Sequence, residues 1–419
     1  MKGSAFVHGL VEMGMKGPRP FASSLSSGYV DNSRASFDVA GWRRRNMGKS
    51  NMMNDQRLLI SEPREVACYS RTASFAYLLN DRSALRTYCA PRELPCDLNV
   101  GFDDYIKDRH RSEPVSDARG APKDACVSNV LDAILERLGS QSLANIDVIS
   151  YRNNLNKIGL TPYNSRDAWH IDACLLERTL VLQIVMLPEP DAQPSQLRFE
   201  YYGYRFEQIA TTRVSEHEER GDTVDAQHGE EFCSIVNFRL REARIALAAE
   251  IDCKETGIVR GHGAGSRANY TELKTSRVME NDRQRNNFYR YKAIKYWIQS
   301  YLAGVQTIRV GFRDDNGMLL RIEEMNTQSL ASRSPNSPLR HVAWDKFVCL
   351  QFMDDFLRFM RAELELEVER SQRNAAAPSE PSIPCLRFSF IPDRACIMVS
   401  HASPDFHLLA LQMHAKVKP

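Results

Sequence analysis

Between residues 203 and 300, four carboxylates sit in or beside apolar segments, and any fold that buries them must compensate their charge. GYRFE (203–207), EIDC (250–253) and ELKTS (272–276) each set acids into stretches that otherwise have the composition of buried strand; YWIQS (296–300) follows. Two carboxylates ~4 Å apart repel by roughly 4 kcal/mol at an effective dielectric near 20. Proteins relieve such crowding by raising pKa values or by binding divalent cations.

Strand side chains alternate, so residues i and i+2 share a face about 6.6 Å apart. Glu250 and Asp252 therefore point one way, and so do Glu272 and Lys274. If these strands are neighbours, the four groups converge, and Glu207, at the end of a strand predicted over 197–207, can join them. Hard carboxylate oxygens suit Mg²⁺ or Mn²⁺, and two such ions can activate a water and neutralise a leaving oxygen. An ammonium beside carboxylates stays protonated, which casts Lys274 as an electrostatic stabiliser, not a base. Any single Glu-x-Asp or Glu-x-Lys is better explained as a surface salt bridge. The three motifs together, in apolar context, favour the metal reading. Gln299 shares roughly one helix face with Lys292 and Lys295; that face is either a solvated polar surface or one that lies along a phosphate backbone.

Bulk composition does not announce a nucleic-acid binder: 55 basic against 53 acidic side chains give the 419 residues a net charge of +2. Contact with nucleic acid would have to come from a local groove. Ten cysteines are scattered with no C-x-x-C, the pattern of reduced thiols in an intracellular protein. There is no apolar run long enough for a membrane span and no continuous apolar stretch for a signal peptide.

Residues 1–57 read as a mobile arm, with 58–419 as one domain; removing residues 1–50 is expected to leave stability nearly unchanged. Arg43, Arg44 and Arg45 in that arm are either solvated charge or an import or RNA-contact signal. Helices are predicted over 124–139, 145–158, 287–304 and 345–372, and strands over 179–187, 197–207, 232–240 and 244–253. Asn316-Gly317 and Pro392-Asp393 mark two hairpins. Loops are expected at 215–231 and 254–269; the glycine run 261–265 is a connector, not a dinucleotide fingerprint. A linker covers 375–384. The whole is an α+β pattern.

The order Asp252, Glu272, Lys274 resembles the D…(D/E)-x-K nuclease signature. More fully, Arg64-Glu65-Val66, Ser150-Tyr151-Arg152, Leu160-Thr161-Pro162-Tyr163, GYRFE, EIDC, ELKTS and YWIQS together resemble the DXO family of RNA 5′-end decapping and quality-control nucleases. That resemblance implies two packed β-sheets with surrounding helices and a deep acidic pocket between them. It implies Glu207, Asp252 and Glu272 as metal ligands with the Leu273 carbonyl, and Glu250 as a second-ion or water-mediated ligand. Lys274 and Gln299 would contact the scissile phosphate, Arg152 a substrate phosphate, and Glu200 would line the pocket. The implied activity is removal of 5′ triphosphate, unmethylated caps or NAD caps from RNA, with 5′–3′ exoribonuclease activity in some members. A nuclear location is expected, with the cytoplasm as the alternative. A second reading is a scaffold for a nuclear 5′–3′ exoribonuclease with little catalysis of its own. A third, a DNA-cleaving restriction-like nuclease, shares the acid–lysine logic but not Arg152 or YWIQS.

Overall fold

The computed structural model describes residues 34–47, 60–111, 126–186, 194–212, 230–256, 269–332, 344–374 and 383–418. Among them, two β-sheets are joined through a shared layer of helices. The larger sheet runs, edge to edge, Ala35–Asp38, Cys396–His401, Cys385–Ile391, Trp169–Leu176, Thr179–Val185, Val148–Tyr151, Ala243–Glu250, Glu231–Leu240, Arg64–Arg71 and Tyr77–Leu79. The smaller runs Cys96–Asp97, Met318–Asn326, Thr307–Arg313, Tyr270–Arg277, Cys253–Lys254, Thr87–Tyr88 and Thr211–Thr212. One core cluster takes in Leu247 of the larger sheet, Val310 of the smaller, and Leu155, Ile158, Ile294, Ile298 and Phe352 from the helices between them.

Several elements lie where the sequence pattern puts them. Helix Val127–Leu138 buries Val127, Val130, Leu131 and Ile134 and stops at Gly139, whose φ of 75° suits a residue without a side chain. Both hairpins form, Thr307–Arg313 with Met318–Asn326 and Cys385–Ile391 with Cys396–His401. At the first turn Gly317 has φ +87°, and a Cβ there would meet Tyr202 Oη at 2.5 Å. Helix Lys346–Asn374 buries Phe352, Phe356, Met360 and Leu364. All ten cysteines are free thiols. No helix among the described residues is long and apolar enough to cross a membrane.

Four segments differ from the sequence reading. Residues 145–158 are not one helix: Val148–Tyr151 is a strand, parallel to both its neighbours, and the helix begins at Arg152. A strand covered on both faces is apolar without alternation, so its periodicity carries no signature. Residues 197–207 are helical within Pro194–Ile209. Tyr202 and Phe206 lie one turn apart and are both buried, and Gly311 leaves room for the Phe206 ring, since a Cβ there would sit 3.0 Å from it. The predicted strand 244–253 breaks: Ala243–Glu250 belongs to the larger sheet, and Cys253–Lys254 pairs with Thr271 and Tyr270 in the smaller. The helical stretch around 287–304 starts earlier, at Asp282, capped by the Asn281 side chain, and carries a π-helical turn over Phe288–Lys292. Asp124, the glycine run 261–265 and most of the predicted linker lie outside the described residues.

The predicted arm also needs correction. Residues 34–47 are part of the fold: Ala35–Asp38 is the edge strand of the larger sheet and Val39–Asn46 a helix capped by the Asp38 side chain. Trp42 is 3% exposed, stands edge-on to Phe352 at 4.9 Å, and donates from Nε1 to Asp355 at 2.9 Å. Arg43 donates to the carbonyls of Thr161 and Asn164, both at 2.7 Å, so it is a structural clamp while Arg44 and Arg45 stay exposed. The isolated indole and valine of this segment carry no period, which is why the sequence reading passed over them. Deleting residues 1–50 should therefore lower the melting temperature sharply. Trp42→Ala alone should cost about 3–5 kcal/mol; a denaturant titration of the two proteins measures it, and a loss below about 1 kcal/mol would return the segment to the status of an arm.

Candidate active site

The site forms where the two sheets approach each other, around Glu272. Strand Tyr270–Arg277 carries Glu272 and Lys274 on one face, with Leu273 turned the other way into a core with Phe206 and Cys253. Glu272 is 1% exposed. Lys274 Nζ donates to its Oε1 at 2.5 Å, and the Gln299 amide donates to the same oxygen. Arg152 Nη1 donates to Oε2 at 3.1 Å and also approaches the Gln299 carbonyl at 3.4 Å. Arg152 opens its helix directly after the strand Val148–Tyr151, and Gln299 lies in helix Ala293–Leu302. Three elements thus meet on one carboxylate.

The other acids surround this centre. Asp252 lies in the two-residue crossing between the sheets, and its Oδ2 accepts from the Leu273 N–H at 2.6 Å. Burial pushes the Asp252 carboxyl well above the usual carboxylate range, with Glu272 and Glu207 adding to the shift and Lys274 opposing it. Burial likewise raises Glu250, reinforced by Glu231, Asp252 and Glu207 and opposed by Arg152. For Lys274, burial favours the neutral amine, but Glu272 and Asp252 overcome it and hold the ammonium pKa above its ordinary value. Glu207 reaches the cluster from a helix, not from a strand end. Glu200, on the same helix, is 5% exposed and accepts from Tyr105 Oη at 3.1 Å. The Tyr204 phenol sits among Glu200, Glu207 and Glu250, and its pKa is raised by burial and by those neighbours.

Every residue singled out from sequence as a site residue is thus in this neighbourhood: Arg152, Glu200, Glu207, Glu250, Asp252, Glu272, Leu273, Lys274 and Gln299. The shared helix face of Gln299, Lys292 and Lys295 is not a solvated surface. Gln299 is buried, Lys292 donates to Ser276 Oγ at 3.3 Å, and burial lowers Lys295. Sequence reasoning missed Glu231, which sits two residues before Cys233, the register partner of Glu250, and ion-pairs with the buried Arg71. Its polar, acid-rich surroundings suit the loop predicted over 215–231, whereas it opens the strand Glu231–Leu240, and strand register gives its place. Two cavities, of about 460 Å³ beside Asn99, Phe102 and Arg198 and about 550 Å³ between Asp147, Arg241 and Arg361, are lined by none of these acids.

The donor set is all oxygen, the kind that Mg²⁺ and Mn²⁺ take. Among the described residues no three His, Cys, Asp or Glu side chains are drawn together as a ready-made ion cage. The Glu272 oxygens are engaged by Lys274, Gln299 and Arg152, and Asp252 accepts from a backbone N–H. The cluster still fits a cation: burial first, and the neighbouring acids second, raise the Glu250 and Asp252 carboxyls, and a divalent ion would offset both effects.

Comparison with known proteins gives a consistent result. The family model described as "RAI1 like PD-(D/E)XK nuclease" matches residues 61–405. The chain is 30% identical to the decapping nuclease RAI1 of Aspergillus fumigatus, over 73% of this chain and 83% of that protein. It is 29% identical to the human decapping and exoribonuclease protein, over 72% and 74% of the two chains. Among solved structures, the crystal structure of S. pombe Rai1 superposes with a TM-score of 0.58 at 25% identity, covering 82% of this chain and 95% of that one.

The raised carboxyls carry a pH signature. A carboxyl whose folded pKa exceeds its unfolded value makes the folded state bind more protons, so its contribution favours folding at acid pH and is lost as pH rises through the folded pKa. In EDTA, Asp252→Asn keeps an oxygen to accept from Leu273 and removes one charge. It should match or exceed the parent at pH 7, by about 1 kcal/mol, and lose that advantage towards pH 4. Mg²⁺ should stabilise the parent more than the variant. Thermal melts across pH, with and without metal, read this out; a metal- and pH-independent drop for Asp252→Asn would make Asp252 half of a structural ion pair.

Proposed function

The chain belongs to the family of RAI1-like PD-(D/E)XK nucleases, and from that premise we propose that it is a divalent-metal-dependent hydrolase that acts on RNA 5′ ends. The substrates are ends bearing a triphosphate, an unmethylated cap or an NAD cap, with 5′–3′ exoribonuclease activity as an extension of the same site. The observation that carries the reading is the buried Glu272 held by Lys274, Gln299 and Arg152 amid Glu207, Glu250 and Asp252. A structural salt bridge needs one cation per anion. Here the acids outnumber the cations, the donors converge from three elements, and relatives matching most of the chain are named as a decapping nuclease and as a decapping and exoribonuclease protein.

In this reading Glu207, Asp252, Glu272 and the Leu273 carbonyl hold Mg²⁺ or Mn²⁺, two ions in all, with Glu250 at the second ion or through water. When bound, the ions supply Lewis-acid activation of water and neutralise the leaving oxygen. The chain's own groups do the rest. Lys274, kept protonated by its neighbours, places a fixed charge beside the attacked phosphate. The Gln299 amide and Arg152 guanidinium orient phosphate oxygens, and Arg152 can do so through two parallel N–H donors. Glu200 and Tyr105 line the approach. Association with a nuclear 5′–3′ exoribonuclease, and a nuclear location, are part of the same proposal; co-purification with that enzyme and imaging of the tagged protein test them.

Purified protein incubated with RNAs of defined 5′ ends should release the end groups in Mg²⁺ or Mn²⁺ and none in EDTA. Full release in chelator, or none from any RNA, would sink the reading. Glu272→Gln and Lys274→Ala should each cut turnover by a factor of hundreds, from the roughly 3–4 kcal/mol that one fixed transition-state contact supplies, while RNA binding survives. Normal turnover in Lys274→Ala would demote the lysine to an ion-pair partner.

A further inference from the structure

Glu250 enters the site from the larger sheet, whereas Glu272 and Lys274 enter from the smaller. Among the described residues the two sheets share no ladder; the chain passes from one to the other through Ile251 and Asp252, after which Cys253 pairs with Thr271. Outside the cluster, the Glu65 side chain adds a second tie. Ser234 Oγ, in strand Glu231–Leu240 of the larger sheet, donates to Glu65 Oε2 at 2.5 Å. Tyr270 Oη, at the start of the Glu272 strand, donates to the same oxygen at 2.7 Å. Arg82 pairs with the other oxygen, Oε1, and donates from Nη1 to Tyr270 Oη at 2.8 Å.

The tie attaches close to the chemistry on both sides. Ser234 is the register partner of Ala249, the residue before Glu250. Tyr270 lies two residues before Glu272, on the same strand face. Behind the acids, Ala249, Ile251, Phe232 and Tyr270 form a small core of their own, and the Arg82 guanidinium lies 5.6 Å from the Phe232 ring. The backbone is also irregular at this point. Ile235 pairs with Ala67 but Val236 pairs with Glu65, which leaves Val66 as an extra residue in its strand. A bulge of this kind re-aims the adjacent side chain, and here Glu65 reaches across to the second sheet.

We propose that Glu65 is a positioning residue for hydrolysis: by accepting from Ser234 and Tyr270 on one oxygen, it sets the spacing between Glu250 and the Glu272–Lys274 pair. The inference rests on the hydrolase reading above. Loss of the tie lets the halves drift, and a displacement near 1 Å costs on the order of a hundredfold in rate when reacting groups must be aligned.

The test measures kcat and KM on a 5′-triphosphorylated RNA, together with thermal stabilisation by Mn²⁺, in the parent and four variants. Glu65→Ala should lower kcat by about 30- to 100-fold with KM within about twofold, and should raise the Mn²⁺ concentration needed for half-maximal stabilisation. Glu65→Gln keeps an acceptor for Ser234 and Tyr270 and should recover most of the loss. Tyr270→Phe removes one hydroxyl at constant ring volume; it should give an intermediate fall and carries the test if Glu65→Ala fails to fold. Val399→Ala, in the remote strand Cys396–His401, serves as a core variant destabilised without touching the tie. Parent-like kcat and Mn²⁺ response in Glu65→Ala and Tyr270→Phe, or an equal kcat fall in Val399→Ala, would overturn the proposal while leaving the hydrolase reading intact. A parent protein that hydrolyses none of the RNAs would instead strike at that reading.

Discussion

A carboxylate with almost no exposed surface, Glu272, is the fixed point of this molecule. It accepts from Lys274 on its own strand, from Gln299 on one helix and from Arg152 on another. Removing one partner of such a group leaves a buried charge uncompensated, at a cost of several kcal/mol. The network therefore holds the strand and both helices in one arrangement, and the apolar packing of Leu155, Ile158, Ile294 and Ile298 around it follows the same geometry.

The second determinant is the crossing at Ile251 and Asp252. Over these residues the chain leaves the larger sheet and joins the smaller. Ala249 and Ile251 face a small core with Phe232 and Tyr270, while Glu250 and Asp252 belong to the charged cluster. Alternation along an extended segment thus sorts apolar from acidic groups at the one place where both sheets can contribute. The helix Pro194–Ile209 then adds Glu200 and Glu207 on its inner side, held there by Tyr201, Tyr202 and Phe206. The result is an anionic cluster whose protonation, and not its geometry alone, adjusts to burial.

Periodicity and turn chemistry made much of the fold legible. The helices Val127–Leu138 and Lys346–Asn374, both hairpins, and the strands flanking them follow from spacing and from residues such as Gly139 and Asn316-Gly317. The reading failed where tertiary burial removes the period. Val148–Tyr151 is covered on both faces and does not alternate. Phe199, Tyr202 and Phe206 suit a strand by composition, yet they pack as a helix face. Trp42 and Val39 are isolated in a polar stretch, yet they complete the core beneath Phe352.

By itself, the sequence singled out Glu207, Glu250, Asp252, Glu272 and Lys274 as one cluster; Gln299 followed from the family resemblance. Acids set into apolar stretches are buried with them and must then be paired or metal-bound, and their order matches a nuclease pattern. Only the tertiary structure decided how they meet. Glu207 comes from a helix, Glu250 and Asp252 from either side of a sheet crossing, and Glu231 and Glu65 become neighbours of the site through strand register and a bulge. Spacing along the chain records which residues share a face of one element. It does not record which faces of two sheets are brought together, because that depends on the long-range packing of the whole core.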